Sequence, residues 1–404
     1  MIELFLQKKE CYGCTACINI CPNGAITMFP DEQGFLYPQI NPCLCIECEL
    51  CLKVCPFHNS FHMDGNLAEP DIYGVKHKSD DVRMNSSSGG MFTAISNYML
   101  EHGGPVYGAM FDKDFTVCHQ KAGIREDCNK FRGSKYVQSD LRDVFREVKE
   151  DLMACQYVLF SGTPCQTAGL HNYLKGQVDL KKLFLCDLVC HGTPSPQIFK
   201  DYIDFLKNKF HSQIEDLTFR YKPAGWRSQA MSVWFKNGET YMSAAGGDIY
   251  YKLFLNNYIL RSSCYNCKFA NLHRPSDITI GDFWGIKNGP PDFEDEKGVS
   301  LILVNTRKGR TLFEAVSDRL YYRKSNIVEG MQVNLKEPSK PSPKIHEFWT
   351  DYQTHGFVYV AKKYADAGIK GKSIDFCKKT LKKTGVYNIA KNLIQRKRDS
   401  QIFE

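Results

Sequence analysis

Two cysteine runs near the N-terminus have the residue type and spacing that iron–sulfur chemistry requires. One extends from Cys11 to Cys21 and the other from Cys45 to Cys55, and each reads C-x2-C-x2-C-x3-C followed by proline. A 4Fe–4S cluster needs four thiolates, and in paired runs of this spacing the fourth cysteine ligates the other cluster. The spacing therefore predicts two clusters. The expected ligands are Cys11, Cys14, Cys17 and Cys55 for the first cluster, and Cys45, Cys48, Cys51 and Cys21 for the second.

The remaining cysteine usage fits a redox protein better than a disulfide framework. The chain has 404 residues and 18 cysteines, and its first residues lack the basic and apolar regions of an export signal. We therefore expect a cytoplasmic protein of an anaerobic cell. Cys43 fits neither ligand set and is predicted to be a packed cysteine. No apolar stretch predicts a transmembrane segment.

Charge is concentrated at the C-terminal end. The formal net charge is +7, while residues 362–398 alone hold twelve Lys or Arg and two Asp. Apolar residues recur there at roughly helical spacing, which predicts a helical basic tail. One interpretation is a solvated helix packed on the body, and the other is contact with an acidic partner or a peripheral membrane surface. The absence of an aromatic stacking platform argues against nucleic acid.

The element pattern predicts an α+β chain: a bacterial-type ferredoxin domain fused to a mixed α/β domain, with a helical basic tail. The three parts are residues 1–62, 70–337 and 344–404, with His62–Pro70 as a polar linker. Extended segments are predicted at Ala25–Met28 and Leu36–Ile40, strands at Ile72–Val75, Pro105–Met110, Val158–Phe160 and Lys182–Val189, and helices at Met91–Glu101, Leu141–Met153 and Pro196–Lys209. A hairpin is predicted around the Asn237-Gly238 turn, between Met231–Lys236 and Thr240–Ser243.

Four further cysteines lie where loops at strand ends could bring them together. Cys165 and Cys190 each follow an apolar run, and Cys264 and Cys267 form a C-x2-C pair. Such a set could hold a third 4Fe–4S cluster. Zinc would accept the same four ligands, and unrelated cysteines are the remaining interpretation.

A loop rich in serine and glycine, residues 85–90, leads directly into the predicted helix Met91–Glu101. Backbone N–H groups, serine hydroxyls and a helix N-terminus would together suit a phosphate-bearing cofactor. A well-capped helix without a ligand is the simpler alternative. The segment Phe131–Gln138 adds a lysine and a tyrosine beside a glycine.

Taken in order, these segments resemble the coenzyme F420 hydrogenase/dehydrogenase beta-subunit family. The resemblance covers about residues 70–340 and rests on Ser87–Gly90, Gly133–Gln138, Gly162–Gln166, Cys190–Pro194, the Cys264 and Cys267 pair, and Arg274–Gly285. It implies FAD beside a 4Fe–4S cluster held by Cys165, Cys190, Cys264 and Cys267. It also implies that the flavin lies near Ser88, Gly89, Gly90, Lys135, Tyr136, Gly162 and Thr163.

The expected function is that of an iron–sulfur flavoprotein oxidoreductase. Reduced ferredoxin or a partner redox subunit would exchange electrons with three clusters, and FAD would act on a small organic substrate. That substrate would be a deazaflavin (coenzyme F420) or an unsaturated or sugar-linked metabolite, and either direction of electron flow is open. The candidate catalytic residues are His191 as a proton donor, and Asp282 and Trp284 at the substrate face, with structural roles as the alternative.

Two other functions fit the same motifs. One is a non-catalytic electron-transfer subunit that docks a separate catalytic chain. The other is a zinc-containing structural domain that carries a ferredoxin.

Overall fold

The computed structural model describes residues 2–59, 61, 63, 65–288 and 293–365. The strands are β1 (Ile26–Pro30), β2 (Leu36–Ile40), β3 (Asn66–His77), β4 (Val106–Phe111), β5 (Val117–Ala122), β6 (Val158–Ser161), β7 (Leu183–Leu188), β8 (Ile214–Thr218), β9 (Met231–Phe235), β10 (Thr240–Ser243), β11 (Ile278–Asp282), β12 (Ser300–Thr306) and β13 (Leu320–Lys324). The α-helices are α1 (Ala16–Ile20), α2 (Leu50–Lys53), α3 (Asp80–Met84), α4 (Met91–Glu101), α5 (Arg125–Cys128), α6 (Val144–Met153), α7 (Pro164–Leu174), α8 (Pro196–Phe210), α9 (Ile249–Leu255), α10 (Arg307–Ala315), α11 (Ile327–Gly330), α12 (Ile345–His355) and α13 (Phe357–Tyr364).

The N-terminal unit is built from two short halves. Strands β1 and β2 pair antiparallel, from Ile26 opposite Ile40 to Pro30 opposite Leu36. Helices α1 and α2 contain Cys17 and Cys51, one cysteine of each run. The predicted extended segments are confirmed. The prediction of a packed Cys43 is wrong: Cys43 is exposed, because it lies in a surface turn where its backbone N–H donates to the Asn41 side chain at 3.0 Å.

An eight-stranded mixed sheet forms the body, in the order β13-β3-β12-β11-β7-β6-β4-β5. The central pairs β11–β7, β7–β6 and β6–β4 are parallel, and the outer pairs are antiparallel. Strand β12 is buried along its whole length, and its middle residues, Leu301–Val304, are all apolar, as expected of a strand covered on both faces. The predicted strands and helices of this part are confirmed to within three residues, except that β3 begins six residues before the predicted strand Ile72–Val75.

The segment predicted as a linker differs from the expectation. Strand β3 begins at Asn66, so the second half of His62–Pro70 belongs to the sheet. Asn66 pairs with Thr306, and the register then shifts before Asp71 pairs with Val304. Pro70 lies opposite this irregularity, where the missing N–H of a proline is tolerated. The backbone N–H and C=O groups of β12 on the side facing β3 need hydrogen-bond partners. This requirement outweighs the polar, Gly- and Pro-containing sequence that predicted a linker.

A second, three-stranded sheet has the order β10-β9-β8 and contains the predicted hairpin, which is confirmed. Helices α8, α9, α12 and α13 cover it around an aromatic core. Phe348, Trp349, Phe357 and Val360 are buried in that core, so the first part of the predicted tail packs on the body. The rest of that tail, from residue 366 on, lies outside the described residues.

The N-terminal unit packs directly against α6 and α7. Cys14, Ala16 and Val54 share one apolar cluster with Leu170 and Leu174 of α7. Close approach is possible because α7 has a glycine there: a Cβ on Gly169 would lie 2.8 Å from the sulfur of Cys14. Within the described part of the chain, no helix is long and apolar enough to cross a membrane.

Candidate iron–sulfur and cofactor sites

The cysteine loops of the N-terminal unit enclose two separate cavities. The walls of the first include Cys11, Cys14, Cys17 and Cys55, together with Cys51. The walls of the second include Cys21, Cys45, Cys48 and Cys51. Cys55 therefore lies with the first run and Cys21 with the second, which is the crossed arrangement that the spacing predicts.

The two cysteine loops repeat the same unusual backbone geometry. Gly13 and Glu47 have φ of +69° and +54°, and Thr15 and Glu49 have φ of +61° and +60°. These positions are equivalent in the two runs. A left-handed backbone costs about 1–2 kcal/mol in a residue other than glycine. Such outliers persist where the surrounding structure fixes them, and here they turn the chain sharply between successive cysteines.

Burial makes these thiols hard to ionise without a metal. Burial raises the pKa of Cys14 and of Cys17, and the neighbouring sulfurs of Cys55 and Cys11 raise these values further. A bound metal centre removes this cost, because a coordinating thiol is deprotonated outright.

The third cysteine set lies at the edge where parallel strands end. Cys165 is in the first turn of α7, directly after β6, and Cys190 follows β7. Since β6 and β7 are neighbouring parallel strands, their carboxyl ends meet at one edge of the sheet. A 3-10 turn over Ser262–Asn266 brings Cys264 and Cys267 to the same place. The structure thus groups all four, and the charges of the other three sulfurs add to the effect of burial in raising the pKa of Cys190.

Hydrogen-bond donors face three of these sulfurs. The backbone N–H of Thr193 donates to Cys264 Sγ at 3.3 Å, and that of Phe269 donates to Cys267 Sγ at 3.4 Å. Burial still raises the pKa of Cys165 to about 12, although Thr163 Oγ1 lies 3.3 Å from its sulfur. Among the described residues, no three His, Cys, Asp or Glu side chains are arranged to share a single metal ion.

An aromatic cluster packs against Cys165 and Cys267 of the third cysteine group and includes Tyr12 from the first cysteine run. Tyr12 is buried between Cys11 and Cys14, and its ring lies 6.0 Å from that of Phe57 and 5.6 Å from that of Phe269. Burial raises the pKa of Tyr12, and the sulfurs of Cys267 and Cys55 raise it further. Tyr12 is therefore close to both groups.

A cavity of about 400 Å³ opens beside the third cysteine group, with Cys190 in its wall. Its lining includes six of the residues that the resemblance implies near a flavin, Ser88, Gly90, Lys135, Tyr136, Gly162 and Thr163. It also includes the three candidate catalytic residues, His191, Asp282 and Trp284. Gly89 lies behind the wall. Its N–H donates to Ser300 Oγ at 2.8 Å, and a Cβ there would lie 2.0 Å from the carbonyl oxygen of Val75.

Two helices begin at this cavity. Gly90, with φ of +92°, and Met91 place the N-terminus of α4 in the wall, and none of the described side chains caps that end. Thr163 begins α7 and shares a capping box with Gln166. The free N–H groups of α4 and its partial positive charge favour an anionic group in the cavity.

His119 is a cavity residue that no sequence motif indicated. Burial lowers the pKa of His119 to about 4, so the ring is neutral at pH 7. Its Nε2 lies 3.0 Å from the carbonyl oxygen of Ser161, which assigns the proton to Nε2. Nδ1 is then a buried acceptor without a partner among the described residues.

Lys135 is held by the protein backbone. Its ammonium donates to the carbonyl oxygens of Lys130 at 2.9 Å and Arg132 at 2.8 Å. Burial lowers the pKa of Lys135 to about 7, so this lysine carries only part of a positive charge at neutral pH.

The predicted substrate-face residues belong to a buried network. Arg220 donates to Asp282 Oδ2 at 2.6 Å and to the Tyr136 hydroxyl at 3.2 Å. The indole N–H of Trp226 donates to Asp282 Oδ1 at 3.1 Å, and its ring stacks on Trp284 at 5.1 Å. Both carboxylate oxygens of Asp282 are thus engaged. The residue holds Arg220 and the two tryptophans in position, so it is poorly placed to act as a base.

His191 is also held in place. Its Nε2 lies 2.7 Å from Asn257 Oδ1, and burial lowers its pKa. Ser339 donates to its backbone carbonyl at 2.5 Å. The ring lines the cavity in a fixed orientation.

Comparison with known proteins finds matching family models for the N-terminal cysteine-rich unit and for the part of the body that holds the third cysteine group. Residues 10–59 match the 4Fe-4S dicluster domain model, and residues 155–329 match the model for the C terminus of the coenzyme F420 hydrogenase/dehydrogenase beta subunit. The chain is therefore an iron–sulfur protein with an N-terminal dicluster domain. Over residues 155–329 it matches an oxidoreductase family, that of the coenzyme F420 hydrogenase/dehydrogenase beta subunit, which confirms the resemblance.

Two curated proteins and one solved structure illustrate what this chain is similar to. One subunit of the F(420)H(2) dehydrogenase of Methanosarcina mazei is 21% identical over 327 residues, which are 78% of this chain and 84% of that protein. An uncharacterized ferredoxin of Methanocaldococcus jannaschii is 31% identical over 55 residues, 14% of this chain and 70% of the ferredoxin. A chain of the F420-reducing [NiFe] hydrogenase complex from Methanosarcina barkeri is 18% identical, with a TM-score of 0.45 over 75% of this chain and 94% of that chain.

Proposed function

We propose that this chain is an FAD-dependent iron–sulfur oxidoreductase that passes electrons between a redox partner and a small organic substrate. The observation that carries the proposal is the row of sites: two cysteine-lined cavities, a third group of four cysteines, and a large cavity beside that group. When bound, FAD would exchange two electrons with a substrate and single electrons with the clusters.

The residues of the three cysteine groups suit 4Fe–4S clusters. Each group supplies four thiols: Cys11, Cys14, Cys17 and Cys55; Cys21, Cys45, Cys48 and Cys51; and Cys165, Cys190, Cys264 and Cys267. Backbone N–H groups directed at sulfur, such as that of Thr193, stabilise ligating thiolates.

The residues around the large cavity suit a flavin with its phosphates. The uncapped N-terminus of α4, beginning after Gly90, would bind a pyrophosphate. Gly162 and Thr163 would approach the cofactor closely beside the third cysteine group.

The second cysteine-lined cavity, at the opposite end of this series of sites from the large cavity, is accessible to a partner protein. Leu44 and Ile46 are exposed beside Cys45, and Cys48 is itself exposed. An apolar rim around an accessible metal site suits transient docking of ferredoxin or a redox subunit. The alternative function, a non-catalytic electron-transfer subunit, would use the same surface.

Anaerobic reoxidation tests the proposal. The purified protein is reduced with dithionite, and its flavin and cluster absorbance is followed after adding candidate acceptors, including the deazaflavin. We expect at least one organic acceptor to reoxidise the flavin. Activity with artificial dyes and with no organic acceptor would instead indicate the electron-transfer subunit.

Cys190→Ser is the informative variant in this assay. It removes one thiol of the third group and leaves both ferredoxin cavities intact. We expect the acceptor to reoxidise the flavin of this variant at the normal rate and to reoxidise the ferredoxin clusters much more slowly. Equal rates in the variant and the wild type would contradict the placement of the third group between ferredoxin and flavin.

A further inference from the structure

A single arginine residue joins the first and third cysteine groups. Arg261 is buried, with 1% of its surface exposed. Its Nε donates to the carbonyl oxygen of Cys11 at 2.8 Å, and its Nη2 lies 3.5 Å from the sulfur of Cys11. The same Nη2 donates to the carbonyl oxygen of Leu36 at 3.0 Å, and Nη1 donates to Gln138 Oε1 at 3.1 Å. Each nitrogen of the guanidinium thus has a polar partner.

The backbone of Arg261 belongs to the third group. The N–H of Cys264 donates to the carbonyl oxygen of Arg261 at 2.9 Å, and the N–H of Arg261 donates to the carbonyl oxygen of Thr193 at 3.0 Å. Thr193 in turn donates to the sulfur of Cys264. One residue therefore fixes a thiol of the third group through its backbone and contacts a thiol of the first group through its side chain.

The charge on Arg261 has no carboxylate to balance it in the described part of the chain, where no salt bridge involves this residue. The ring of Tyr37 lies 4.0 Å from its guanidinium carbon. The nearby groups that become negative on metal binding are sulfurs. A cation that donates a hydrogen bond to a cluster thiolate favours the reduced, more negative cluster, and so raises its reduction potential.

We propose that Arg261 is a positioning residue that sets the reduction potential of the cluster ligated by Cys11 and holds this site in register with the third. The proposal rests on the cluster assignments of the proposed function. It predicts that the cluster at Cys11 depends on Arg261 most strongly. The third cluster depends on it less, since the guanidinium contacts none of its sulfurs at hydrogen-bond distance, and the cluster at Cys45, Cys48, Cys51 and Cys21 is unaffected.

An anaerobic redox titration followed by EPR of the full chain tests this. Midpoints are assigned to sites by the signals lost in Cys48→Ser and Cys190→Ser. In Arg261→Gln we expect the equilibrium constant for reduction of the cluster at Cys11 to fall at least tenfold. This corresponds to a fall of about 59 mV in its midpoint potential for one electron. Arg261→Lys keeps the charge but cannot reach all the same acceptors, so we expect a smaller fall.

Arg83→Gln is the matched control. Arg83 is a buried arginine, 4% exposed, whose guanidinium contacts Asp295 and the carbonyl oxygen of Gly298. Its removal should leave all midpoints unchanged. Unchanged midpoints in both Arg261 variants, with iron content retained, would overturn the proposal. Loss of iron from both variants would show that Arg261 has only a structural role, which also overturns it. Absence of iron from the wild-type protein would instead refute the proposed function.

Discussion

Replacing Asp282 with asparagine should leave a buried charge without its partner. The side chains of Arg220 and Asp282 are 3% and 15% exposed, and they are joined at 2.6 Å. Asparagine keeps an acceptor for Trp226 but removes the negative charge. Breaking a buried ion pair on one side costs about 3–5 kcal/mol, because the remaining charge stays desolvated. We therefore expect Asp282→Asn to lower the free energy of unfolding by about that amount.

Anaerobic urea unfolding measures this loss, and two further variants make it specific. The double variant Arg220→Met with Asp282→Leu removes both charges, and it should be clearly more stable than Asp282→Asn. Glu294→Gln breaks the more exposed pair with Arg227 and should cost less than about 1 kcal/mol. An Asp282→Asn variant within about 1 kcal/mol of the wild type, or a double variant less stable than the single one, would refute this account of the network.

Three further predictions concern His119 and the cysteine sites. The pKa of His119 falls to about 4 on folding, so between pH 6.5 and 4 only the unfolded chain binds this proton. The free energy of unfolding should therefore fall by about 3 kcal/mol as the pH is lowered from 6.5 to 4. In urea unfolding His119→Asn should remove this part of the pH dependence, and the same slope of unfolding free energy against pH in variant and wild type would contradict the prediction. Gly169→Ala would place a methyl carbon 2.8 Å from the sulfur of Cys14, so we expect loss of iron from the first ferredoxin site, and full iron content would contradict the packing. Cys264→Ser should lose about four iron atoms per chain while Cys43→Ser loses none, and equal losses in elemental analysis would contradict the ligand assignment.

Most of the correct predictions came from the spacing of residues that are close together in the sequence. The two cysteine runs place their own ligands, because C-x2-C loops fix the distance between neighbouring thiols whatever surrounds them. Strands such as β6 and helices such as α4 were predictable because their apolar patterns are local. The third cysteine group needed the resemblance as well, since Cys165 and Cys264 are far apart in the chain and the sequence alone left zinc open.

Long-range polar contacts were not predictable. Arg261 meets Cys11 across 250 positions, and Arg220 meets Asp282 across 62. Nothing in the local sequence marks either arginine, because a buried arginine has the same residue type as a solvated one. His119 lies in an ordinary strand, and only the tertiary structure shows that its Nδ1 lacks a partner among the described residues. The start of β3 at Asn66 was missed because an edge that needs pairing overrides weak turn signals.

Anaerobic analysis of iron, sulfide and flavin in the full chain is the most direct test of the central claim. Three 4Fe–4S clusters and one flavin site predict about twelve iron, about twelve sulfide and one FAD per chain. About eight iron with one zinc and no flavin would contradict the flavoprotein account and leave a ferredoxin attached to a zinc-containing domain.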